Sequence, residues 1–200
     1  NQPLTLRVRS GEMVQLTIHP RANYGADTTQ LELRIEELEG SARRWSLTDD
    51  VVGGFLAENP RADGHGHAAT WCFLDVRKNW QLLTEAVSDH LGKRGLHIWR
   101  NGDNPSALVN ATDQPIQVWT TLPARGFFVH PASDGPVAVA WVSPITGLVR
   151  ITGRVADAHP GGGDGVAWTL RHHAVDFGGP LKELASLAQR LREPIRLRKE

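Results

Sequence analysis

The chain has 200 residues, enough for one generous domain with a buried core or for two small ones. Hydrophobic residues make up 40% and charged residues 22%, with Lys+Arg and Asp+Glu equal at 22 each, so the formal net charge is zero. That balance lacks the basic excess of a nucleic-acid or membrane-surface binder, and no apolar run approaches the roughly 18 residues of a bilayer span, so neither nucleic acid nor membrane insertion is expected.

From the N-terminus, Leu4, Leu6 and Val8 alternate with Thr5 and Arg7, the period of a half-buried strand. A turn at Ser10-Gly11 leads to a second strand from Met13 to Ile18. Residues 20–27 read as a polar loop, and Leu31, Leu33 and Ile35 resume the alternation. A short strand is expected over 44–47. Between Asp49 and Gly66, Gly53-Gly54, Asn59-Pro60 and Asp63-Gly64 punctuate what reads as loop. A strand over 69–74 is followed by Trp80, Leu83, Val87 and Leu91 at helical spacing, which predicts a short helix over 78–90. Short strands are then expected at 106–110, 116–120 and 126–129. Val137, Val139 and Trp141 form another, and Val149, Ile151, Gly153 and Val155 share one face of a long strand opposite Arg150, Thr152 and Arg154. Val166, Trp168 and Leu170 complete the series.

About ten short strands without strand-helix-strand alternation predict an all-β, jelly-roll-like β-sandwich. The sandwich is expected over residues 1–178. Beyond Gly178-Gly179-Pro180, residues Leu181, Leu184, Leu187, Ala188 and Leu191 repeat at helical spacing. This predicts a C-terminal amphipathic helix, within a connector over 179–200, that Pro194 ends or kinks. Asn1 reads as the start of a piece of a larger polypeptide.

Seven of the aromatic residues are Trp, against five Phe and one Tyr. Flat indoles stack on sugar rings, and they also fill wide sandwich cores, so four or five are expected inside. Trp99 and Trp119 are the stacking candidates, because each adjoins polar, turn-rich sequence. Arg100, Asn101 and Asp103, which follow Trp99, are placed to hydrogen-bond sugar hydroxyls. The lone Cys72, between Trp71 and Phe73, reads as a small buried apolar residue, and a single cysteine excludes a c-type haem attachment motif.

Two loops hold candidate metal ligands. Asp157-Ala-His-Pro-Gly-Gly-Gly-Asp164-Gly165 has carboxylates at its ends and glycines that let carbonyls turn inward, as calcium requires. The same loop is more simply read as a glycine-rich turn whose aspartates cap amides. Asp27, in the Gly25-Ala26-Asp27 turn before a strand, is a further candidate calcium ligand. Asp63, His65 and His67 would share a face on a strand and could then hold zinc, but their glycines favour a polar loop. No nucleophile elbow, phosphate-binding loop or zinc-protease motif is present, and a non-catalytic role is expected.

Three stretches carry a resemblance: Ile18 to Leu33; Asp50 to Pro60 leading to Trp71; and His130-Pro131 with Val139 to Pro144 and Gly153 to Trp168. Together they are similar to the central region of large planctomycete proteins built around DUF1549 and DUF1553 domains, often with a cytochrome c-like domain ahead. The pattern from Trp141 to Trp168 also resembles jelly-roll, carbohydrate-binding-module-like domains. These resemblances imply a cell-envelope, periplasmic or secreted setting, flanking domains of the parent polypeptide as partners, and a binding rather than catalytic role; the tryptophans make carbohydrate the expected ligand, and no haem is expected in this chain. The competing expectation is a structural spacer or docking domain that positions its neighbours and has no glycan ligand.

Overall fold

A computed structural model describes residues 3–175, and the predicted C-terminal helix therefore lies outside the described residues. Fifteen strands follow in chain order: β1 (Leu4–Val8), β2 (Met13–His19), β3 (Thr29–Glu37), β4 (Arg44–Ser46), β5 (Trp71–Asp75), β6 (Gln81–Leu82), β7 (Glu85–Val87) and β8 (Leu96–Arg100) in the first part. β9 (Ser106–Asn110), β10 (Ile116–Gln117), β11 (Thr121–Leu122), β12 (Phe127–His130), β13 (Val137–Val142), β14 (Gly147–Asp157) and β15 (Ala167–His173) complete them.

Two antiparallel sheets face each other. The larger runs β1-β14-β3-β12-β9-β8-β7, with β4 added beside β3; the smaller runs β15-β2-β13-β5-β6. Early strands thus pair with late ones, β1 and β3 with β14 and β2 with β13, before the chain crosses to the other sheet. This interleaving is the jelly-roll arrangement, and the fold is an all-β sandwich.

The alternation read from the sequence sets the layers. Leu16 and Ile18 of β2 meet Leu31, Leu33 and Ile35 of β3 and Val149 and Ile151 of β14 in the central core, with Trp45, Trp71, Trp99 and Trp141 fully buried among them. Fully burying each such aliphatic side chain contributes about 1.5–3 kcal/mol. The opposite faces carry smaller clusters. Met13, Cys72, Leu74 and Ala140 lie outside the smaller sheet, while Ile98, Leu108 and Phe128 lie outside the larger one beneath the β10–β11 hairpin. Burial pushes the Cys72 thiol up to about 12, as an inert core residue requires.

Two local expectations fail. Residues 78–90 form no α-helix: β6 and β7 occupy the segment and a 3-10 turn begins only at His90, with Leu83 buried in the core while Leu91 is exposed. Their helical spacing is a coincidence of strand positions, because Leu83 instead donates its amide to the Phe73 carbonyl at 2.9 Å. Conversely, the segment after Asp49 is not all loop, since a short helix spans Leu47–Val51. Its N-cap is Ser46, whose side chain accepts the Asp49 amide, and Asp49 and Asp50 complement the first turn. β8 was hidden because Trp99 and the turn after it read as a surface feature.

Candidate functional site

Trp99 is not a surface plate. Its ring is 0% exposed, and its Nε1 donates to the Phe55 carbonyl at 2.8 Å. Its position on β8, opposite Ala107, turns it inward, so no face is open to a sugar. The residues after it serve the scaffold as well. Arg100 pairs with Glu85 across β7 and β8. Asn101 accepts from the Thr84 amide and hydroxyl, both at 3.0 Å, and donates to the Leu82 carbonyl at 3.2 Å, tying two turns together. Asp103 is exposed in the turn between β8 and β9.

Trp119 is partly exposed, and its Nε1 donates to Thr28 Oγ1 at 2.8 Å. That bond brings it to the end of the sandwich where the other candidates meet. Ala158 donates its amide to the Thr28 carbonyl at 2.9 Å, and Thr120 Oγ1 donates to the Ala158 carbonyl at 2.7 Å. Asp164 closes the same end: its carboxylate accepts the Ala22 and Asn23 amides at 3.0 and 3.2 Å, and its carbonyl accepts from Arg21 Nη1 at 3.0 Å. Asp157 accepts the His159 amide at 2.7 Å. Trp119, Asp27, Asp157 and Asp164 are thus gathered by the fold, whereas the Trp99 group is dispersed into the framework.

Asp27 differs from its neighbours. It is buried, and neither carboxylate oxygen accepts a hydrogen bond. Burial pushes its carboxyl above the ordinary aspartate range; His130 opposes the rise, while Asp164 and Asp157 add to it. Among the described residues, no three His, Cys, Asp or Glu side chains converge as a metal-binding group. The three aspartates therefore do not form a closed cage, because Asp164 and Asp157 spend oxygens on backbone amides.

Asp63, His65 and His67 form a fixed network rather than a mobile loop. Asp63 accepts from Trp45 Nε1 at 2.6 Å, from the His65 and His67 amides at 3.0 and 2.8 Å, and lies 2.7 Å from His67 Nδ1. His65 Nε2 bonds the Arg44 carbonyl at 2.8 Å. Ring nitrogens held this way do not converge on a shared ion. Asp63, though buried, is held below the usual carboxylate range, because hydrogen bonds from His67 and Trp45 outweigh its desolvation.

A groove of about 440 Å³ opens elsewhere, between β15 at the edge of the smaller sheet and the part of β14 that extends beyond its pairing with β1. Trp168 and Leu170 pair with Ile18 and Leu16 and so face the same side as those core residues. At this edge the facing sheet presents Leu4, Val155 and Gly153. Gly153 is required here by close packing, since a Cβ would stand 2.7 Å from the Glu32 carbonyl. Trp168 is left 56% exposed, the most open of the tryptophans, with Glu32 and Arg154 paired at 3.7 Å beside it. Alternation alone does not signal this: Val166, Trp168 and Leu170 read as one more strand, and exposure depends on what stands opposite.

No family model, curated protein or solved structure matches this chain.

Proposed function

We propose that this domain is a non-catalytic binding module and that the groove between β14 and β15 seats a carbohydrate against the Trp168 indole. The supporting observation is an indole 56% exposed inside a concavity of about 440 Å³. Small-ligand sites occupy about 300–1,000 Å³ and combine apolar walls with few polar groups. A sugar ring presents an apolar C–H face that stacks on an aromatic plate, while its hydroxyls need charged or amide partners at the rim. Trp168 and Leu170 offer the first surface, and Arg154 and Glu32 offer the second. Their ion pair is exposed, with side chains 63% and 40% accessible, so exchanging it for sugar hydroxyls costs little. The module sits, on this reading, in a cell-envelope or secreted polypeptide, beside flanking domains.

The test is a glycan-array screen of the full chain, followed by titration of Trp168→Ala. Binding should be lost in the variant. Because Trp168 is largely exposed, the melting temperature should move little, by a stability change within about 0.5 kcal/mol. Binding that survives Trp168→Ala moves the site elsewhere. A folded chain that binds no glycan leaves the spacer and docking role as the better reading.

A further inference from the structure

We propose that the cleft between the Asn23–Asp27 turn and the Asp157–Gly165 loop binds a hard divalent cation of the calcium type, with Asp27 as its one inner carboxylate. Asp27 is 2% exposed, and both its oxygens lack a hydrogen-bond partner. A buried, ionised and unpaired carboxylate is among the costliest groups a fold can hold, so it calls for a compensating charge. No Lys or Arg side chain among the described residues pairs with the Asp27 oxygens, and the groups that ease its charge are the His130 ring and the Arg21 backbone amide. Asp164 and Asp157 deepen the negative field at the same spot.

The loop brings the Asp27 carboxylate beside a backbone oxygen. Gly163 adopts a left-handed φ of +73°, and a Cβ built on it would lie 3.2 Å from the Ala26 methyl and 3.5 Å from both Asp27 Oδ1 and the Asn23 carbonyl oxygen. Two oxygens of the kind calcium prefers thus approach the loop at Gly163, where a side chain would be crowded against Ala26. The Asp164 carboxylate, held by the Ala22 and Asn23 amides, fixes the turn that presents this carbonyl. Water completes the coordination. With a single inner carboxylate the affinity falls at the weak end of calcium sites, about 0.1–1 mM. The bound ion would fasten the β14–β15 connection, which bridges the two sheets, to the β2–β3 connection.

The decisive experiment melts the full chain in 5 mM calcium chloride and in chelator. Calcium should raise the melting temperature by about 3–6 °C, and Asp27→Asn should abolish the rise. No rise in the native chain, or an equal rise in Asp27→Asn, overturns the site. Should that variant not fold, terbium replaces calcium in the native chain. An ion at Asp27 lies near Trp119, so tryptophan excitation should give terbium emission that calcium displaces and that Trp119→Phe largely removes. Emission that calcium does not displace, or that Trp119→Phe leaves unchanged, overturns the proposal equally. Neither readout involves glycan, so the outcome is independent of the role proposed for the Trp168 groove.

Discussion

Two buried aspartates, Asp63 and Asp27, sit beside tryptophans and are treated in opposite ways. At Asp63, the Trp45 indole, the His67 ring and two backbone amides all point at the carboxylate. At Asp27, the nearby indole of Trp119 donates to Thr28 instead, and neither carboxylate oxygen has a hydrogen-bond partner, the Arg21 amide and the His130 ring only easing its charge from nearby. Burial raises the energy of both charges, so their difference lies in hydrogen bonding and in the neighbouring charges, His67 beside Asp63 and Asp164 and Asp157 near Asp27. The first carboxylate organises a loop that its glycines would otherwise loosen. The second is an unmet electrostatic demand, which the proposed cation would answer.

The strongest way to break this contrast is Asp63→Ala. It strands the Trp45 indole N–H and two amides, and should cost about 3–5 kcal/mol in urea unfolding. A cost below about 1 kcal/mol would show that the network does not hold the loop.

Asp27→Asn should act in the other direction. Without calcium at neutral pH, it removes an unpaired charge and should leave stability unchanged or raised by up to about 1 kcal/mol. The pH profiles sharpen the comparison. Asp63 has a depressed folded-state pKa, so its contribution is present above its unfolded value near 3.9 and is lost as pH falls through the folded value. Asp27 has a raised one, so stability is greatest below about 3.9 and declines as pH rises through the folded value. Melting curves from pH 3 to 7 in chelator should show that decline in the native chain and not in Asp27→Asn. An identical slope in both would mean that Asp27 does not carry it.

The smallest effect is expected at Trp119→Phe. It removes the bond to Thr28 and should cost about 1 kcal/mol, leaving glycan binding unchanged because the Trp168 groove is a different surface. A loss of glycan affinity here would restore Trp119 as the stacking plate.

The contrast was only half legible beforehand. Asp157, Asp164 and Asp27 could be singled out because carboxylates beside glycines are a local pattern, and the fold does gather them with Trp119. Trp99 was misread because its neighbours Asn101, Gly102 and Asp103 are turn residues, which describes the chain after it and not the face it occupies. Asp63 was read as part of a loose loop because the Trp45 indole that fixes it lies 18 residues earlier.

By itself the sequence determined the layers of this protein. Alternation along β1, β2, β3, β13 and β14 assigns each side chain to the core or the outside, because a strand has only two faces and a one-residue slip would expose the whole apolar set. The absence of a nucleophile or phosphate-loop motif was likewise plain. Tertiary structure alone decided which tryptophan meets solvent and which carboxylate lacks a partner. Exposure and hydrogen bonding depend on what stands across a gap: the facing sheet presents Gly153 to Trp168, and neither Asp27 oxygen meets a hydrogen-bond partner.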